Sequence, residues 1–372
     1  MFKKYQLRFY NFRLIIWMIL ASGIGVAVIN SAKDESYAIK QCIGLVVCLV
    51  MMFVLSLIDY NWILKYYWVI YAVNIILLLS VKLFGKTVGG AKRWIEIKSD
   101  SISIQPSEFA KVFLILFLAK ILSMGRKQLN TYKFLLIVAL LLMVPIALIV
   151  SQPDLSTTVL LCMILFTVLY CAGLSYKIMG IALAILVPIG AILFIDVQQE
   201  NPFFFKDYQK NRIMAFIDPE NYDETSYQQN YAEQAIGSGQ LNGKGLNNDD
   251  ASSIKNAGYI AEAQTDFIFA VVGEELGFVG GCVILLLLAL IILECVIAAI
   301  RAKDFTGRLI CCGMASFIAF QTFINIGVAT RLLPNTGLPL PFISYGLSSL
   351  VTLFGGMGIV LNICLQRQSY DD

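Results

Sequence analysis

The chain contains no histidine in 372 residues. That absence removes Ser-His-Asp and Cys-His catalysis and histidine metal sites together, and leaves acid–base work to carboxylates, lysine or tyrosine. Cys-x-x-Cys pairs are missing as well. Cys42, Cys48, Cys162, Cys171, Cys282, Cys295, Cys311, Cys312 and Cys364 all lie in apolar segments, which reads as buried thiols rather than disulfides or zinc ligands. No internal repeat, heptad or low-complexity tract occurs. Charge is scarce: only 14% of residues are charged, the net charge is +3, and 58% are hydrophobic.

Apolar runs recur near the ~20 residues that cross a ~30 Å hydrocarbon core, so the fold class expected is an all-α polytopic membrane protein, one integral membrane domain over 1–372. About ten spans centre on 14–32, 39–58, 67–84, 106–123, 133–150, 155–173, 177–195, 270–299, 309–330 and 342–365. A large loop, about 196–266, separates the seventh from the eighth. The basic start, with Lys3, Lys4, Arg8 and Arg13, resembles a signal peptide. Its apolar stretch is too long and lacks an A-x-A site, so it reads as an uncleaved first span. Arg126, Lys127 and Lys133, then Arg301, Lys303 and Arg308, fall on the same side as that start. The positive-inside rule then makes both termini cytoplasmic and the large loop extracytoplasmic.

The unusual polar residues converge on the outer end. An ionised group facing lipid costs roughly 2.5–3.5 kcal/mol on insertion scales, so it is usually paired, cavity-facing or functional. The fourth span opens "QPSEFAK", where Glu108 suits a helix N-terminus and Lys111 lies on the same face. The sixth opens "SQPDLSTT", in which Asp154 either caps its helix or points into a cavity. Around the start of the eighth stand Glu262, Asp266, Glu274 and Glu275. Consecutive helical residues point ~100° apart, so at most one of the two adjacent glutamates looks straight into a shared cavity. "ATRLLPNTGLPLPFISYG" carries Arg331 and Ser344 in an irregular segment, and such backbone at membrane depth lies against protein or a wet cavity. The loop with Lys86, Lys92, Arg93, Trp94 and Lys98 has two readings, capture of an anionic ligand or anchoring to lipid headgroups. "GSGQLNGKGL" lacks the strand and Lys-Ser/Thr of nucleotide loops; it is either a flexible loop or a phosphate cradle with Lys244.

Five ordered motifs, "RWIEI…QPSEFAK", "QPDLSTT", "AIGSGQLNGKGL", "AQTDFIFAVVGEELGFVG" and "NIGVATRLLPNTGLPLPFISYG", resemble the SEDS (shape, elongation, division and sporulation) family, typified by RodA and FtsW. Leu347 after "SYG", Ser156 in "QPDLST" and "YIAEAQTDF" before the fourth motif's helix depart from the family pattern. The resemblance implies a peptidoglycan glycosyltransferase that polymerises lipid II at the outer face of the cytoplasmic membrane, in shape and elongation or in division. Its implied partner is a class B penicillin-binding protein, a transpeptidase; membrane lipids surround it and nucleic acid plays no part.

The resemblance makes Asp266 the essential acid, with Glu108, Lys111 and Trp94 associated with activity. Asp266 then serves as general base on an acceptor sugar hydroxyl, with Glu274 and Glu275 shaping or polarising the cavity behind it. Lys92, Arg93 and Lys98, with Arg331, would meet the anionic leaving group. Alternatively a divalent cation (Mg or Mn), held by Asp266, bridges carboxylate and pyrophosphate. The rival class is a flippase or other transporter of the lipid-linked precursor, which paired intramembrane charges would also suit.

Overall fold

The computed structural model describes residues 9–88, 91–98, 102–200, 202–219, 221–248, 253–255 and 257–366. Lys3, Lys4 and Arg8, and the side chain of Lys98, lie outside the described set. In chain order the helices are α1 (Phe12–Ala32), α2 (Glu35–Leu57), a short α3 (Tyr60–Ile63), α4 (Tyr67–Phe84), α5 (Pro106–Met124), α6 (Tyr132–Ser151), α7 (Leu155–Cys171), α8 (Tyr176–Val197), α9 (Asp207–Ile217), α10 (Asp223–Ser238), α11 (Ile268–Ile300), α12 (Phe305–Ala329) and α13 (Leu347–Leu365).

By length and composition alone, eight segments among the described residues are apolar enough to cross a membrane, α3 and α4 counting as one. The shorter apolar α7 and the charged α5 complete a bundle of about ten spans. Within the apolar windows the buried share runs from none in α8 to 72% in α12 and 78% in α13, so the last two helices lie inside, while α8 is peripheral and buries only its end, at Asp196 and Val197. Lipid is as apolar as leucine, so an apolar residue need not point inward. That explains why Cys42, Cys162 and Cys282 are exposed instead of buried, although all nine cysteines are free thiols.

Two segments depart from the sequence reading, and the large loop holds short helices, as its length implied. The link between α4 and α5 is an antiparallel sheet of β1 (Lys86–Val88), β2 (Ala91–Lys98) and β3 (Ile102–Ile104), so the chain is not purely helical. Its register sets Lys86 opposite Trp94 and Ile95 opposite Ile104. The large loop contains two helices, α9 and α10. The last span starts at Leu347, five residues later than expected, because 331–346 forms an irregular arm against the core.

The eighth span is the most consequential. α11 breaks at Gly277, whose φ of 66° and ψ of −166° belong to a region reserved in practice for glycine. A break strips backbone groups of their helical partners, and lipid supplies none. Here the turn after α10 supplies them. Lys244 N and Gly245 N donate to the carbonyls of Glu274 and Glu275, while Phe278 N and Val279 N donate to those of Gln240 and Leu241. The approach is so close that a Cβ on Gly239, Gly243 or Gly277 would strike the opposing backbone. The glycine-rich motif is therefore a fixed turn, and its Gly239 and Gly243 admit a second backbone to the break. Residues 278–300 still extend roughly 35 Å as a helix, enough to span by themselves.

A buried ion pair ties α5 to α12. Lys111 Nζ, fully buried, donates to Glu108 Oε1 at 2.7 Å and to Gln321 Oε1 at 2.8 Å. It also sits 4.6 Å from the centre of the Phe317 ring.

Two consequences are measurable as thermal stability in detergent. Gly277→Ala forces a side chain into that backbone conformation and into Gly243, and should cost at least about 1–3 kcal/mol. Gly237→Ala, where a Cβ meets nothing within 4 Å, should melt like the parent; equal melts for both variants would refute the clamp. Lys111→Met strands Glu108 and should cost about 3–5 kcal/mol, while Glu108→Leu combined with Lys111→Met should recover most of it.

Candidate active site

Three consecutive carbonyls determine where Asp266 stands. Tyr345 N donates to Gln264 O at 2.9 Å, Ser344 Oγ to Thr265 O at 2.6 Å, and Asn325 Nδ2 to Asp266 O at 2.8 Å. Asn325 also donates to Leu338 O and Ser344 Oγ accepts from Leu340 N. The turn before α11 is thus stitched to α12 and to the irregular arm before α13. Nothing in the local sequence of the turn requires this; it follows from the partners.

Asp266 is half-buried in a 260 Å³ cavity whose lining includes Arg93, Trp94, Gln105, Glu108, Arg212, Glu262, Gly337 and Tyr345. Gly337, at φ 72°, sits against the carboxylate: a Cβ there would be 3.2 Å from Asp266 Oδ2 and 3.5 Å from Arg212 Nη1. Burial, and then the charge of Glu262, push Asp266 up to about 6, while Arg212 and Arg93 pull it the other way. Glu108 is nearly fully buried; Lys111 holds Oε1, and Oε2 has no hydrogen-bond partner among the described residues.

A second, largely apolar groove of 340 Å³ adjoins this cavity. Leu155, Val159 and Met163 of α7, Ile213 of α9, Phe323 and Ile324 of α12 and Leu333 line it. Arg93 and Arg212 line both spaces, so two guanidiniums mark the junction of an oily groove and a polar pocket. Arg93 is held from behind: Nη2 donates to Pro153 O at 2.9 Å and Nη1 lies 3.6 Å from Asp154 Oδ1. Asp154 also accepts from Ser107 Oγ and from Thr157 N, the latter as the cap of α7.

The structure thus brings Asp266, Arg93, Trp94 and Glu108 to one cavity, with Lys111 and Asp154 behind them. Ser344 serves the turn. Four other candidates lie elsewhere. Lys92 Nζ donates to Lys82 O, and Arg331 pairs with Glu233 at 3.2 Å. Lys244 pairs with Glu274 at 2.8 Å, and Glu275 with Lys255 at 2.6 Å and with Ser31. Neither glutamate of the pair lines the cavity; both fasten the large loop to α11, and Glu274 also accepts from the backbone N–H groups of Ile254 and Lys255. Among the described residues no group of three His, Cys, Asp or Glu side chains could hold a metal ion.

Arg212 and Glu262 are cavity residues that sequence reasoning missed. For Arg212 a signal existed: Gln209, Arg212 and Ile213 fall at i, i+3, i+4, one face of a helix, and all three line the groove.

Residues 6–369 match the family of FtsW, RodA and SpoVE described as cell cycle protein. The chain is 33% identical over 356 residues to the peptidoglycan glycosyltransferase MrdB of Escherichia coli K12, covering 95% of this chain and 90% of that one. It is 33% identical over 368 residues to stage V sporulation protein E of Bacillus subtilis, covering 94% and 95%. Among solved structures it is similar to a chain of a peptidoglycan synthase complex that coordinates polymerization and crosslinking, with a TM-score of 0.79, 28% identity and coverage of 98% and 99%. The Thermus thermophilus rod shape determining protein RodA matches with a TM-score of 0.71, 27% identity and 98% coverage of both chains. A match along nearly its whole length, in sequence and in fold, makes this chain a member of the FtsW/RodA/SpoVE family, the SEDS proteins.

Proposed function

We propose that this chain is a peptidoglycan glycosyltransferase that polymerises lipid II, with Asp266 as its general base. The observation that carries the reading is the placement of a carboxylate titrating near 6 beside two arginines, where an apolar groove opens into a polar cavity. Each part answers a chemical need of the reaction. An acceptor sugar hydroxyl is a poor nucleophile until a base takes its proton, and a base is most effective when its pKa lies near the working pH. The leaving group is a lipid pyrophosphate. Arg93 and Arg212 provide planar donors for its oxygens, and the groove provides an apolar bed for its chain. Asp154 acts on Arg93 as a positioning residue. Trp94 and Glu108 both line the cavity, Glu108 from a nearly fully buried position.

Arg126, Lys127, Lys133, Arg301, Lys303 and Arg308 orient the cavity end outward under the positive-inside rule. Both termini are then cytoplasmic, and the site faces the leaflet where a lipid-linked sugar is presented. Likeness to a chain of a synthase complex that both polymerises and crosslinks supports a class B penicillin-binding protein as the partner.

The direct test is polymer formation from lipid II by the purified chain in detergent, where a flippase has no second compartment to serve. Asp266→Asn should fold and melt like the parent, yet lose the roughly 10²–10⁴-fold rate that a general base supplies. Near-parental polymer from that variant would remove Asp266 from the chemistry.

The pH profile tests the electrostatics. The base works ionised, so the rate should rise with pH through about 6. Glu262→Gln deletes a cause that raises this value, and the acidic limb should move to lower pH. Arg212→Gln deletes a cause that lowers it, and the limb should move up as lipid II use weakens. A limb that neither substitution moves would assign it to another group.

A further inference from the structure

Outside the cavity stands a tyrosine cluster that the proposed reaction leaves unused. Tyr231 and Tyr259 stack with ring centroids 4.4 Å apart and planes at 22°. Tyr227 lies 4.5 Å from Tyr231 and 6.1 Å from Tyr259. Tyr227 and Tyr231 are one helical turn apart on α10, and Tyr259 comes from the loop that leads into the Asp266 turn. Tyr231 packs against the core, but Tyr227 and Tyr259 remain 40% and 41% exposed.

The cluster is rigidly placed relative to the site. The other side of α10 is pinned by Gln229, whose Nε2 donates to Val328 O and Leu333 O at 3.0 and 2.9 Å, and Leu333 lines the apolar groove. Tyr259 is three residues from Glu262 and seven from Asp266, both in the cavity lining. A fully extended chain covers at most ~3.6 Å per residue, so the Cα atoms of Tyr259 and Asp266 lie within roughly 25 Å of each other, a distance of a few sugar units. The same helix carries amides and a carboxylate near the rings in sequence: Gln228, Gln234 and Glu233, the last paired with Arg331. Aromatic faces bordered by such groups suit a ligand with apolar C–H faces and a rim of hydroxyls. A sugar ring has that composition.

We propose that Tyr227, Tyr231 and Tyr259 form a glycan-binding platform that holds the polysaccharide beyond the reacting unit. The inference rests on the polymerase reading and names a subsite for its product. A strand retained between additions is extended again, whereas a strand that leaves ends short. The platform therefore governs strand length and leaves the chemical step alone.

The test compares Tyr227→Ala and Tyr259→Ala with Tyr227→Phe and Tyr259→Phe in lipid II polymerisation, with products resolved by length. The alanine variants should consume lipid II within about twofold of the parent but make strands roughly 3- to 10-fold shorter, the scale of losing one aromatic stacking contact. The phenylalanine variants, which keep the ring face, should retain parental lengths. Unchanged lengths in the alanine variants overturn the proposal, as does unchanged length accompanied by lost binding of a transpeptidase partner, which would make the cluster a protein-docking surface. A second measurement needs no variant. Soluble oligomers of the GlcNAc–MurNAc repeat should protect Tyr227 and Tyr259 of the parent from nitration by tetranitromethane, mapped by mass spectrometry; equal nitration with and without the oligomer refutes the platform even if an alanine variant fails to fold. A parent that makes no polymer would defeat the polymerase reading separately, and the nitration result would still decide the subsite.

Discussion

Everything at the working end depends on one exchange of backbone hydrogen bonds. Where α11 breaks at Gly277, the turn at 240–245 inserts and takes over the stranded carbonyls and N–H groups on both sides of the break. Inside a membrane such groups have no other partner, and each one left open costs several kcal/mol. The consequence extends well beyond the turn. Because 240–245 is locked into α11, α10 is carried over the end of α12. Gln229 fastens it there. The ion pairs Lys244–Glu274 and Lys255–Glu275 then clamp the loop to the turn of α11 just before the break. A loop that would otherwise drift becomes a fixed wall of the cavity.

That wall creates the electrostatics of the site. Removal from water is the chief cause that raises the pKa of Asp266, with Glu262 adding to the effect and the two arginines limiting it. Without the arginines, the same burial would favour a neutral carboxyl more strongly. Under the proposed reaction Arg93 and Arg212 would have two linked tasks, keeping Asp266 ionisable and meeting an anionic group at the head of the groove. Their supports are unlike. Arg93 leans on Asp154 and the Pro153 carbonyl, behind a small sheet. Arg212 rides on α9, in the loop that the break in α11 holds down.

The arrangement also separates structural charge from working charge. Lys111 is fully enclosed by Glu108, Gln321 and Phe317, which serves helix packing. Glu274 and Glu275 are enclosed in the same way and serve the loop. Charges gathered at one end of a bundle suggest a single site from the sequence, but burial and partners divide them into clamps and chemistry.

Periodicity and composition by themselves determined a polytopic helical protein of about ten spans, because a run of apolar residues long enough for a bilayer needs no partner to be recognised. They also located the acids at the start of the eighth span, and the ordered motifs identified the family and pointed to Asp266, Glu108, Lys111 and Trp94. Short alternation in "KRWIEIK" was masked by its length, so β2 was not legible, and an irregular arm hid the true start of α13. Only the tertiary structure decided which basic groups stand beside Asp266. Lys92, Lys244 and Arg331 were as suitable by charge as Arg212, yet they find partners in Lys82 O, Glu274 and Glu233. The physical reason is that a charge declares its need for a partner locally, while the identity of that partner depends on backbones brought together from distant parts of the chain.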